Sequence, residues 1–198
     1  MTNGERLLAL AWLASWGVAV LSQNVPQWWV VLVVALVLIS LTTLVAQRLS
    51  AAHRLGLQPV HSAELITGAA SGAGLFLLYF IVFHGQAVAA EGHVSVVHVL
   101  WSVLVAPVTE ELAFRAILYN VLRKWCKWMG MEFIGNLFAV LFTAVLFAAL
   151  HQRTSVYLLM TCGAGVVYGL VRWRTDNVLP AMMSHFAYNA TVLLFLDH

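Results

Sequence analysis

An acid pair and an arginine lie close together inside a long apolar stretch, in the segment Glu110-Glu111-Leu-Ala-Phe-Arg115. Glu111 precedes Arg115 by four residues, the order and spacing that let an acid and a base pair on one helical face. Glu110 points about 100° away from Glu111 on the same helix. One carboxylate can therefore be neutralised by the arginine while the other faces a cavity, where it can act as a general base.

Two histidine motifs follow this segment along the chain. His151 comes four residues after Phe147, which places an aromatic ring one turn from the imidazole. His185 and Asn189 are also four residues apart and project from one face. Tyr168 supplies a hydroxyl between the two motifs, on a segment whose small residues permit close helix packing, namely Gly163, Ala164, Gly165 and Gly169.

Each element alone has a simpler interpretation. Glu111 and Arg115 form a structural ion pair in many helices, and Glu110 can be a protonated carboxyl that bonds between helices. A lone histidine, or Phe147, is more often a packing residue. Together, however, these groups combine a base, imidazoles and an amide, which are the groups that activate a water and stabilise an oxyanion.

The elements that carry these groups are membrane helices. Hydrophobic residues make up 62% of the 198 residues and charged residues 9%, whereas a soluble domain has roughly 25% charged residues. The net charge is +2 and there is no basic block, so we expect membrane lipid and no nucleic acid as a partner. An ionisable group within a span costs about 2.5–3.5 kcal/mol or more, which marks this cluster as functional.

The apolar stretches predict an all-α fold, a polytopic membrane bundle of about seven transmembrane helices. Eight of the ten Lys and Arg residues fall on one side of this arrangement, Arg153 alone falls on the other, and Arg115 lies inside a span. This bias places the N-terminus in the cytoplasm and the C-terminus outside. The predicted spans are about 7–23, 27–46, 64–84, 95–122, 133–151, 155–171 and 178–196.

We predict a single membrane domain, 1–198, with accessory helices in 1–94 and the catalytic core in 95–198. A hairpin with its apex near 129–131 would bring Glu110 and His151 to similar heights in the bilayer, because each lies about 20 residues from the apex. His185 fits this scheme less well, since it lies only about ten residues from the loop at 174–177.

The three motifs resemble those of a known family. Glu110–Arg115 is similar to EExxxR, Phe147–His151 to FxxxH, and His185–Asn189 to HxxxN, in the order found in the CAAX-protease and bacteriocin-processing family, also called the ABI or type II CAAX prenyl endopeptidase family. The resemblance covers about 96–196. It implies an intramembrane endopeptidase of a bacterial or archaeal inner membrane, acting on a peptide or lipidated protein substrate.

The resemblance also implies a role for each motif residue. Glu110 would be the general base, and His151 would orient the attacking water. His185 and Asn189 would stabilise the oxyanion, which completes the catalytic set. Supporting positions are Glu111, Arg115, Phe147 and Tyr168.

We expect this glutamate protease to need no cofactor, and two alternatives stay open. Glu110, His151 and His185 have the types of three zinc ligands, although the chain has no HExxH motif. A non-catalytic transporter or immunity-type binding protein would also use intramembrane carboxylates and histidines.

Overall fold

The computed structural model describes residues 56–82, 96–151 and 155–196, and within these ranges the chain is helical, without a β-strand. Four of the helices coincide with predicted spans to within a few residues. The first two predicted spans, 7–23 and 27–46, lie outside the described residues. The four helices are α1 (Ser62–Val82), α3 (Glu132–Ala149), α4 (Ser155–Thr175) and α5 (Val178–Leu196).

The remaining helix, α2 at 96–128, contains two π-helical turns. Its consecutive segments are Val96–Leu100, Trp101–Val105 (π), Ala106–Glu111, Leu112–Leu118 (π) and Tyr119–Trp128. The backbone stays right-handed and helical at the junctions, with φ −66° and ψ −33° at Glu111. Single π turns inside helices often mark functional positions, and here they flank the short segment that carries the acid pair.

A turn at 129–131 joins α2 to α3, as the hairpin prediction expects. Gly130 has φ +77°, the left-handed region that a residue without Cβ adopts easily. The Met131 N–H donates to the Cys126 carbonyl and the Gly130 N–H to the Lys127 carbonyl, both at 3.0 Å. These two bonds form the Schellman motif that commonly ends helices.

The surfaces of the bundle fit a lipid environment. The helices α1, α3 and α4 are long and apolar enough to cross a membrane, and α5 contains a shorter apolar stretch. Large apolar side chains such as Ile81 and Leu159 point outward, whereas Glu111, Arg115 and Arg172 are buried. In a water-soluble protein, by contrast, large apolar side chains are mostly buried and charged side chains are mostly exposed. The chain is therefore a multi-pass membrane protein, while the seven-span count and the orientation of the termini stay predictions.

The backbones of α1 and α5 approach each other closely. A Cβ added at Gly68 would overlap the Pro180 carbonyl, and one added at Gly72 would overlap the Ser184 carbonyl. Small residues that let two backbones meet are typical of membrane helix interfaces. Because Ser184 precedes His185, this contact fixes the part of α5 that carries the histidine.

A buried arginine attaches the turn between α4 and α5 to α2. Arg172 donates from Nε to the Arg115 carbonyl (3.2 Å), from Nη1 to Asp176 Oδ1 (2.9 Å) and from Nη2 to Asn120 Oδ1 (3.3 Å). Arg123 donates to the same Asp176 oxygen at 2.8 Å. Arg172 is one of the eight cations that the orientation count places on one side, and its side chain is buried between helices, where these three acceptors surround it.

The same contacts explain how His185 reaches the acid pair. The α4–α5 turn lies beside Arg123, whereas α2 and the hairpin that follows extend past this level to 129–131. Along the bundle, the start of α5 is therefore closer to the acid pair than the hairpin apex is. For this reason His185 reaches the depth of the acid pair although it lies only about ten residues after the turn.

Candidate active site

Three helices bring Glu110, His151 and His185 around one point. Glu110 Oε1 lies 3.8 Å from His151 Nε2, and Glu110 Oε2 lies 3.8 Å from His185 Nε2. These separations are too long for direct hydrogen bonds, but they allow one water molecule to contact a carboxylate oxygen and an imidazole together. The Glu110 side chain is 17% exposed and that of His151 28%, so this part of the cluster remains accessible.

The second glutamate of the pair occupies a closed environment. Glu111 Oε1 accepts from Arg115 Nη1 at 3.0 Å and lies 3.0 Å from His185 Nδ1. Arg115 also donates from Nη2 to the Gly165 carbonyl on α4, at 2.9 Å. The Glu111 and Arg115 side chains are fully buried. The adjacent acids therefore have different environments: Glu111 is neutralised within the helix packing, while Glu110 faces the histidines.

Hydrogen-bond partners assign the protons of both imidazoles. Glu111 Oε1 accepts from Arg115 and acts as an acceptor toward His185 as well, so His185 donates to it from Nδ1. His151 Nδ1 lies 2.8 Å from the Phe147 carbonyl, which is also only an acceptor. In both rings Nδ1 is therefore the protonated nitrogen, and Nε2 is directed toward Glu110.

Aromatic rings enclose this cluster. The Phe147 ring centroid lies 4.4 Å from that of His151 and 5.7 Å from that of His185. Tyr168 stacks on His185 at 4.6 Å with an interplanar angle of 18°. The Arg115 guanidinium carbon lies 5.0 Å from the Phe147 centroid. These rings fix the orientations of both imidazoles and surround the buried arginine with cation–π contacts.

Asn189 occupies a separate position on the same helix as His185. Its Nδ2 donates to the Ser102 carbonyl at 2.7 Å, within the first π-helical turn of α2. The structure thus brings Glu110, His151 and His185 together and places Asn189 against the preceding turns of the helix that carries Glu110.

Several buried polar atoms near the acid pair have no hydrogen-bond partner among the described residues. They are Glu111 Oε2, Arg115 Nε, Tyr168 Oη and Ser184 Oγ. Buried polar groups in native proteins are usually satisfied by protein or by ordered water. The Tyr168 and Ser184 hydroxyls, on the residues beside His185, therefore have donor and acceptor capacity available to water or substrate.

Three contacts of the site were missed at the level of sequence. They are the carbonyls of Ser102 and Gly165 and the ring of Phe114, whose centroid lies 5.3 Å from that of Phe147. A backbone carbonyl carries no signal in a residue type. Phe114 lies inside the acid–arginine segment. Its position one residue before Arg115 was the indication in the sequence that its ring lies near the site.

The zinc alternative, with Glu110, His151 and His185 as ligands, stays a hypothesis. Among the described residues, no group of three His, Cys, Asp or Glu side chains is placed to hold a metal ion. Both Nδ1 atoms are engaged with protein acceptors, and only the Nε2 atoms face Glu110.

Comparison with known families decides the class of the protein. A sequence model described as type II CAAX prenyl endopeptidase Rce1-like matches residues 92–191. The chain belongs to this family. No curated protein and no solved structure matches it. The matched range contains the three motifs identified from the sequence, and family membership supports an intramembrane CAAX-type protease in general.

Proposed function

We propose that this protein is a glutamate-type intramembrane endopeptidase that hydrolyses a peptide bond with a water activated by Glu110. The observation that carries the proposal is the position of the Glu110 carboxylate, 3.8 Å from the Nε2 atoms of both His151 and His185. A base between two imidazoles is the arrangement that a hydrolytic water needs.

In the proposed reaction, a water held by Glu110 and His151 attacks the scissile carbonyl carbon. Glu110 takes one water proton as the carbon–oxygen bond forms, and the carbonyl oxygen becomes an oxyanion. When the tetrahedral intermediate collapses, the carbon–nitrogen bond breaks and Glu110 gives its proton to the leaving amine. The second water proton leaves with the acid product, so atoms and charge balance.

His185 and Asn189 supply the donors for the oxyanion. Because His185 donates from Nδ1 to Glu111, its Nε2 carries a proton only when the ring is an imidazolium. The oxyanion role of His185 therefore needs the imidazolium form, and the carboxylates of Glu110 and Glu111 face this ring at 3.8 Å and 3.0 Å.

The substrate class follows from the family and from the membrane location of the site. We propose a membrane-associated peptide, such as a prenylated C-terminal segment, whose lipid part stays in the bilayer while the peptide reaches Glu110. Apolar side chains on the outward faces of the described helices, such as Ile81 and Leu159, suit a substrate that arrives from lipid.

The direct test is cleavage of a farnesylated fluorogenic peptide by the purified protein in detergent. Glu110→Gln should lower the turnover number at least ~10²-fold, because amides cannot take the proton. Glu132→Gln is the matched control, since Glu132 is an exposed glutamate paired with Lys127, and it should retain wild-type activity. Cleavage by Glu110→Gln at the wild-type rate rules the mechanism out.

The metal alternative is separated by the same assay. The glutamate mechanism predicts full activity after dialysis against a strong chelator and no stoichiometric metal in the active protein. Loss of activity on chelation that is restored by added Zn²⁺ would overturn it.

A further inference from the structure

The backbone of α2 is irregular where Asn189 meets it. In the turn Trp101–Val105 the hydrogen bonds span five residues, and the Ala106 N–H donates to the Trp101 carbonyl. The next bond in this register would run from residue 107 to the carbonyl of Ser102.

Residue 107 is a proline, so this bond cannot form. Proline has no N–H, and its ring crowds the carbonyls of the preceding turn. Pro107 is buried and lies three residues before Glu110. The Ser102 carbonyl accepts from Asn189 Nδ2 at 2.7 Å instead.

We infer that Pro107 is a positioning residue for Asn189, acting through the Ser102 carbonyl. The inference rests on the proposed function, in which Asn189 stabilises the oxyanion. An asparagine amide has two N–H donors. When one is held by Ser102, the rotation of the amide is fixed and the second N–H keeps a defined direction.

This arrangement couples the acid pair to the amide through one segment of chain. Pro107 lies between Ser102, which orients Asn189, and Glu110, which is the proposed base. The π-helical turn therefore sets the base and an oxyanion donor relative to each other, although they come from different helices. Preorganised donors of this kind contribute most when their direction is fixed before the reaction.

The test replaces Pro107 by alanine, which restores a backbone donor at a helical position. The new N–H either competes with Asn189 for the Ser102 carbonyl or converts the turn to regular α-helix, and both changes shift the direction of that carbonyl relative to Asn189. We expect the turnover number to fall about 5- to 20-fold with little change in KM, less than the ~10²-fold loss for removing an oxyanion donor, as in Asn189→Ala.

Activity alone would not separate positioning from general structure, so the alanine is also introduced into Asn189→Ala. If Pro107 acts through Asn189, Pro107→Ala causes no further loss in that background. Pro59→Ala is the matched control, because Pro59 is exposed and lies before the first described helix. It should stay within about twofold of wild type.

A spectroscopic measurement keeps the inference independent of catalysis. In protein labelled with ¹⁵N-asparagine, the Asn189 side-chain amide signal is identified by its absence in Asn189→Ala. We expect Pro107→Ala, and not Pro59→Ala, to shift this signal and to speed its exchange with water. An unchanged signal, or an equal activity loss with and without Asn189, overturns the inference. If the wild type cleaves nothing, the proposed function fails and the amide signal alone decides the positioning role.

Discussion

His185 Nδ1 lies 3.0 Å from Glu111 Oε1, the same oxygen that Arg115 Nη1 contacts at 3.0 Å. The second glutamate thus anchors the histidine whose other nitrogen faces the first glutamate. Adjacent acids on one helix point in different directions. Glu111 is therefore buried in the helix packing with Arg115, while Glu110 stays partly exposed and faces the histidines.

The buried ion pair of Glu111 and Arg115 predicts how single and double substitutions change the stability of the protein. Arg115→Met should destabilise the protein by about 3–5 kcal/mol, because it leaves the Glu111 carboxylate in the core without its cation. The double variant Glu111→Gln with Arg115→Met should be less destabilised than Arg115→Met alone, since no uncompensated charge remains. Thermal unfolding in detergent measures both.

The control for this comparison of single and double variants is the exposed ion pair Lys127–Glu132 on the hairpin. Lys127→Met should change the stability by less than about 1 kcal/mol. A double variant that is as unstable as the sum of its single variants would show that Glu111 and Arg115 do not depend on each other.

His151 should matter for activity far more than for stability. It lies two residues after the end of α3 at Ala149, and its side chain is 28% exposed. We expect His151→Ala to lose its bond to the Phe147 carbonyl at a cost of about 1 kcal/mol, while turnover falls about 10²- to 10⁴-fold. Parallel cleavage assays and circular dichroism melts measure the two effects. Near-normal turnover in a folded His151→Ala protein would remove this residue from the mechanism.

The contact between α1 and α5 predicts different outcomes for two glycines of one helix. Gly72→Ala places a methyl group against the Ser184 carbonyl, and overpacking of this kind costs roughly 1–3 kcal/mol. Because Ser184 precedes His185, activity should fall as well. Gly74→Ala is the matched control, since a Cβ there meets no atom within 4 Å. Equal effects of the two substitutions on melting temperature and turnover would contradict the packing described for α1 and α5.

Acid should weaken the attachment of the α4–α5 turn. Burial alone would raise the pKa of Asp176, but hydrogen bonds and ion pairs with Arg172 and Arg123 outweigh it and lower that pKa. A lowered pKa in the folded state stabilises the protein above the unfolded-state pKa, and this contribution is lost as the pH falls through the folded value. We expect stability to fall below about pH 4.

Asp176→Asn lacks the titrating carboxylate, so its stability should depend less on pH in the acid range than that of the wild type. Melting temperatures recorded from about pH 6 to pH 3 test this. Superimposable pH profiles for the two proteins would mean that Asp176 does not contribute.

The sequence predicted which side chains share a helical face, but it did not predict their depth in the bundle. Spacings of four residues indicated which side chains share a face, and the structure places Phe147 beside His151 and Glu111 beside Arg115 for that reason. The height of His185 could not be derived, because it depends on where the α4–α5 turn docks. That docking is set by Arg172, whose burial a count of loop cations cannot reveal.

The irregular backbone of α2 was only partly foreseeable. A proline at position 107 removes a backbone donor and favours a helix that is bent or opened near Glu110, but it does not indicate that the Ser102 carbonyl would accept from Asn189. Contacts between a side chain and a distant backbone group depend on the register of two helices. A single sequence specifies the period of each helix, and packing fixes the register between them.

An experimental structure of the detergent-solubilised protein, at a resolution that shows ordered water, tests the central claim most directly. We predict one water within about 2.6–3.2 Å of both the Glu110 carboxylate and His151 Nε2, with His185 Nε2 beside the same carboxylate. A metal ion bound by these three side chains, or a Glu110 carboxylate turned away from both imidazoles, would contradict the proposed mechanism.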